Sequence, residues 1–164
     1  MDFLVWLEQS GFSTWVRESS SVWAYPTILF LHTIGMATVV GVNAGIDLRI
    51  LGFAPELPVA PMTRLFPLMW AGFGINAVSG TALLIADATT KLTSPVFYIK
   101  MGFIALALID LRLLKTHVFG DALVDKRPLS AQAKVLAVTS LVFWVGVITA
   151  GRLMAYIGPV SGLK

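Results

Sequence analysis

Cysteine is missing from this chain of 164 residues. Its absence excludes disulfides, thiolate nucleophiles and Cys-ligated iron–sulfur clusters or zinc. Covalent c-type haem attachment, which needs C-x-x-C-H, is excluded with them. Charge is scarce too. Asp, Glu, Lys and Arg make up 13% of the residues, against about 25% in an ordinary soluble domain. Hydrophobic residues reach 57%, with a mean hydropathy of +0.82. A soluble globular domain is thereby excluded, and the composition is that of an integral membrane protein. The net charge of +3 is small, and its basic residues are scattered, mainly in loops. Orientation in a membrane accounts for them, and no nucleic-acid partner is implied. A basic n-region is also lacking: the start, M-D-F-L-V-W-L-E, carries Asp2 and Glu8 and does not read as a cleaved signal peptide.

What is present is a set of long apolar runs. From Pro26 to Ile46 there is no Asp, Glu, Lys or Arg, a length suited to a bilayer core of roughly 30 Å. The runs predict an all-α fold, a membrane four-helix bundle with spans at about 25–46, 65–85, 96–114 and 135–153. Residues 1–24 mix Phe3, Leu4, Trp6, Phe12 and Trp15 with Glu8, Arg17 and Glu18. They predict an amphipathic interfacial segment, one or two short helices, ahead of a spanning domain at 25–164. The loop between spans one and two holds Pro55, Pro58 and Pro61, which stop a helix. Residues 87–94 read as a polar turn, and 115–134 as a basic linker.

Arg49, Arg64, Arg112, Lys115, Lys126, Arg127 and Lys134 flank one side of the four spans. Arg17, Lys91, Lys100, Arg152 and Lys164 fall on the other. The positive-inside rule places the first set in the cytoplasm and both termini outside, in the periplasm of a bacterial inner membrane.

The polar residues of the spans sort into two layers. His32, Asp87, Lys100, Arg152 and Tyr156 fall near the outer leaflet. Asp47, Arg49, Arg64, Asp110, Arg112 and His117 fall near the inner one. A neutral imidazole is a good haem ligand, so His32 is a candidate axial ligand and metal residue. Met36 lies on the same face one turn on, and Gly35 would leave room for a flat macrocycle. Lys100 and Arg152 could pair with propionates, and Tyr156 shares their layer. His117 is the other candidate metal residue. Helix rise puts it roughly 20–25 Å in depth from His32, so the two cannot sandwich one haem in a protomer. Asp110 and Arg112 lie two apart on different faces and each needs its own partner, for which Asp47 or Arg49 at the same depth are candidates. Each of these also has a plain structural reading, as a hydrogen-bonded core histidine, packing methionine or pinning ion pair. No catalytic residue is assigned.

Several stretches together resemble an uncharacterised family of small bacterial four-helix membrane proteins, a domain of unknown function. They are L-H-T-I-G-M-A-T, D-L-R-I-L-G, P-L-M-W-A-G-F, P-V-F-Y-I-K-M, L-L-K-T-H and G-R-L-M-A-Y-I-G, and they cover nearly all of the chain from Trp23 to Gly158. More distantly, the L-H of span one and the Lys opening span three resemble copper-resistance D-type proteins and HemJ-type protoporphyrinogen oxidases. The latter resemblance implies b-type haem ligated by His32, with Lys100 catalytic or on a propionate. The third span departs from it: the Trp and His that flank the oxidases' lysine are absent.

The expected function is a b-type haem-binding, cytochrome-like electron-transfer subunit, more an accessory than an enzyme. It would sit in the lipid bilayer and serve a quinone or a redox partner. It would need a membrane redox complex as partner, or copies of itself packed through Gly41 and Gly45 of the small-residue ladder Thr33, Ala37, Gly41 and Gly45. The alternatives are a haem-free protein handling copper or a small solute, with His32, Met36 and Met69 as soft ligands and Asp47 and Asp110 as a relay, or a structural subunit.

Overall fold

The computed structural model describes residues 2–156. The tail beyond Tyr156, with Lys164 and the end of the 25–164 domain, lies outside the described residues. Every regular element among the described residues is helical: α1 (Asp2–Glu8), α2 (Gly11–Glu18), α3 (Tyr25–Leu51), a 3-10 helix (Ala60–Leu65), α4 (Phe66–Ala86), α5 (Ala88–Thr93), α6 (Pro95–His117) and α7 (Ala131–Tyr156). Three stretches are long and apolar enough to cross a membrane: α3, the 3-10 helix continuing through α4, and α7. They are compatible with a multi-pass membrane protein. The fourth long helix, α6, carries Lys100, Asp110, Arg112 and Lys115 along its length.

The long helices outrun the apolar stretches that predict them. α3 continues five residues past Ile46 because Asp47 and Ile50 face inward and keep the helix packed. It ends at Gly52, whose φ of +107° suits glycine. The N–H groups of Gly52 and Phe53 turn back to the carbonyls of Arg49 and Leu48. Proline stands in the first turn of α3, α4, α6 and the 3-10 helix, where its missing N–H costs nothing. The predicted polar turn at 87–94 contains the one short helix α5, and the 1–24 segment forms two helices.

α3 and α7 are the central pair, with α4 packed mainly on α3 and α6 mainly on α7. Glycines set both outer contacts. A Cβ on Gly35 would lie 2.7 Å from the Asn76 backbone nitrogen and 2.8 Å from the Gly72 carbonyl oxygen. One on Gly72 would meet Thr38 at 2.8 Å. Across α6–α7, the Phe103 ring lies against Gly146. Such close approach supplies dispersion contacts between the helix backbones.

Two apolar clusters fill the interior. One joins Ile46, Ile50, Val59, Leu114, Val118, Ala133 and Ala137. The other joins Val39, Phe66, Met69, Ala107, Leu111, Trp144 and Val147. At the loop end, Asp125 accepts from the N–H groups of Val59 (2.6 Å) and Ala60 (3.0 Å), tying the α6–α7 loop to the start of the 3-10 helix. At the other end, Glu8 pairs with Arg17 and accepts from the backbone N–H and hydroxyl of Thr89, docking α1 and α2 on α5.

Candidate functional site

The start of α3 and the end of α4 run side by side, and His32 sits at their contact. Its Nδ1 lies 3.0 Å from the Asn76 carbonyl oxygen and 3.2 Å from Ser79 Oγ. Ser79 donates its own hydroxyl proton to the Ile75 carbonyl at 2.6 Å, so its oxygen is left as an acceptor. Both neighbours therefore want a proton from Nδ1. Asn76 Nδ2 is a third neighbour at 3.3 Å, but it has a closer acceptor in the His32 carbonyl, so the Asn76 carbonyl at 3.0 Å assigns the proton to Nδ1 and leaves the bare lone pair on Nε2. Asn76 completes the clasp by donating from Nδ2 to the His32 backbone carbonyl at 2.8 Å. Beneath the ring, Gly80 leaves no Cβ: one there would stand 2.9 Å from Cε1.

Lys100 of α6 lies within electrostatic reach of this imidazole. Its side chain crosses to α7, with Nζ 4.0 Å from where a Cβ on Gly151 would stand. The ion pairs among the described residues are Arg17–Glu8, Lys91–Asp87 and Arg127–Asp121, so this half-buried ammonium joins none. α3 and α4 thus meet at His32 with Asn76 and Ser79, and Lys100 of α6, which reaches across to Gly151 of α7, acts on the imidazole through its charge.

The other candidate residues lie elsewhere. Arg152 and Tyr156 are exposed at the end of α7. Met36 packs with the cluster of Val39, Met69 and Trp144, and Met69 is buried in that cluster. His117 is exposed and donates from Nδ1 to the Leu113 carbonyl at 2.8 Å. The space expected beside Gly35 is taken by the α4 backbone, so no macrocycle lies on that side of His32. Among the described residues, no three His, Asp or Glu side chains gather as a metal cluster. Two clefts, of about 340 and 370 Å³, open between the loops at the opposite end, and neither includes His32.

A second polar group lies deeper. Asp47 is fully buried and Asp110 is 5% exposed, and the charge of Asp110 reaches Asp47. The ion pair expected of Asp110 with Arg49 is not formed. Arg49 turns instead to the carbonyls of Pro55 and Leu57, capping the bend that follows Gly52. Asn43, Thr139 and Ser140 complete the group: Asn43 donates to Ser140 Oγ at 2.8 Å, and Thr139 to Asp110 Oδ1 at 2.8 Å. Sequence reasoning did not single out these three. For Asn43 a signal existed, since it precedes Asp47 by four residues and so shares its face.

No family model matches the chain, and neither a curated protein nor a solved structure does.

Proposed function

We propose that the chain is an integral membrane four-helix bundle that ligates a b-type haem through His32 and acts as an electron-transfer subunit. The observation that carries this reading is the tautomer of His32. Metal-binding histidines characteristically donate their other ring N–H to a carbonyl or carboxylate. Asn76 and Ser79 hold His32 in that arrangement, leaving Nε2 unshared. Lys100 beside it supplies a positive charge with no partner in the described residues, suited to an anionic propionate. The filled space at Gly35 confines any such group to the Nε2 and Lys100 side of the ring. The exposed Arg152 and Tyr156 could reach it only from the surface. A haem held there would supply one-electron chemistry; the chain's part is to orient the ligand nitrogen and bring the charge of Lys100 to it.

In this reading α6 is the fourth span, and α1 and α2 lie as amphipathic helices in the interface of a bacterial inner membrane, with both termini outside. A quinone or a redox subunit is the partner at the His32 end. Copies would pack on the face of Gly41 and Gly45, which are exposed and have nothing within 4 Å of a built Cβ. Copper handling through His32, Met36 and Met69 has less support, since both methionines belong to an apolar cluster. The test is optical. Protein purified from haem-replete cells should show a Soret band and sharp α and β bands on reduction, both lost in His32→Ala and weakened in Lys100→Met. A colourless wild-type preparation with no pyridine haemochrome would refute the reading.

A further inference from the structure

The haem reading makes no use of the chain's most deeply buried acid. Asp47 is 0% exposed, and neither of its carboxyl oxygens has a hydrogen-bond partner. Asp110, 5% exposed, uses Oδ1 to accept from Thr139 and leaves Oδ2 unpartnered. Three carboxyl oxygens from two helices are thus left without donors. On α7, the Ser140 hydroxyl, whose oxygen accepts from Asn43, lies nearest Asp47, and Thr139 is the donor to Asp110 Oδ1.

Among the described residues, no cation faces this group from any packed element. On α3, Arg49 is committed to loop carbonyls. On α6, Arg112 and Lys115 are exposed, as is Lys134 on α7. α4 has no charged residue at all. Two buried acids with no counter-ion, one neutral hydroxyl beside Asp47 and three oxygens outside hydrogen-bond geometry are costly for a helix bundle to hold as carboxylates. Something from outside the chain must offset that cost. Apolar residues lie on both sides, Ile46, Ile50 and Leu114 towards the loop end and Val39, Leu111 and Trp144 towards the other. They provide no place for the waters that a divalent ion such as magnesium keeps.

We infer that Asp47 and Asp110 form a binding site for one small monovalent cation, a proton or a sodium ion, between α3, α6 and α7. Asp47 is the principal ligand, Asp110 shares the cation through Oδ2, and Ser140 lies beside them as a neutral oxygen. The site is independent of whether His32 binds haem.

The full chain in detergent micelles tests this by infrared difference spectroscopy of the carboxylic-acid C=O stretch. One arm raises the pH from about 5 to about 9 in sodium-free buffer, spanning the range over which buried carboxyls titrate. The other exchanges choline chloride for sodium chloride at fixed pH and ionic strength. The wild type should lose a carboxylic-acid band in at least one arm. Response to pH alone identifies a proton, and response to sodium identifies that ion as a competitor. Asp47→Asn should abolish the response and Asp110→Asn should reduce it, with the helical circular dichroism retained. Should Asp47→Asn fail to fold, Asp110→Asn and the wild-type spectra still decide. A wild type silent in both arms, or a response undiminished in either folded variant, would overturn the proposal.

Discussion

Replacing Gly35 with alanine adds a single methyl group at the point where α3 and α4 come closest. Its Cβ would stand 2.7 Å from the Asn76 nitrogen, where ordinary contact begins at 3.4 Å, so the helices must part by about 0.7 Å. Both nearest atoms belong to backbone, and no rotamer change can relieve the clash. Overpacking of this kind costs about 1–3 kcal/mol. It also acts on the site. The His32 Nδ1 to Asn76 contact of 3.0 Å would stretch towards ~3.7 Å if the whole displacement fell there, beyond hydrogen-bond range. Gly35→Ala should therefore lower stability in a denaturant titration in mixed micelles and loosen the imidazole, read as a changed His32 nitrogen resonance. Gly74→Ala on α4 and Gly102→Ala on α6 are the controls. Nothing lies within 4 Å of their Cβ positions, and each should be neutral or gain up to about 1 kcal/mol from helix propensity. A Gly35→Ala protein as stable as these controls, with an unaltered histidine signal, would refute the close approach of α3 to α4.

Ser140→Ala removes the acceptor of the buried Asn43 side chain, and should cost about 0.6 kcal/mol, the average for hydrogen bonds between membrane helices, and at most about 1.7 kcal/mol; the same denaturant titration reads it, and no loss would mean that this bond adds nothing to the α3–α7 contact. At the N-terminal end, the hydrogen bonds from Thr89, its hydroxyl above all, hold the Glu8 carboxyl below its ordinary value of 4.5. Glu8 thus stabilises the docking of α1 and α2 above about pH 4.5, and that contribution fades as pH falls through the lowered value. Amide exchange in α1 and α2 should rise on acidification, and Glu8→Gln should show the faster exchange already at neutral pH; equal exchange in both proteins would contradict the assignment.

The apolar runs were enough to locate α3, α4 and α7, because their inward and outward faces are both apolar and no charge interrupts them. They were less informative about α6. Lys100 and Asp110 break its run in sequence, yet both turn into the bundle, Lys100 towards Gly151 and Asp110 onto Thr139. His32 stood out as the lone imidazole of an apolar stretch. Its partners did not, because Asn76 and Ser79 meet it only through the register of α4 on α3, which glycine contacts set and periodicity does not report. Arg49 was misassigned by charge complementarity. Opposite charges at one depth suggest a pair, but the left-handed turn at Gly52 brings loop carbonyls within its reach first.

The bond between Asn43 and Ser140 has a consequence for how the chain is made. Its two ends are 97 residues apart in sequence. α3 and α4 emerge from the ribosome as one hairpin, and α6 and α7 follow as another. Until the second arrives, the first hairpin carries Asn43 and the Asp47 carboxyl on a face that α6 and α7 have yet to cover. On the membrane placement proposed above, an intermediate in biogenesis presents these polar groups to lipid or to whatever escorts it. Arrival of α7 conceals the amide and the acid together, so a newly made molecule whose second hairpin fails to dock is distinguishable by that uncovered face alone.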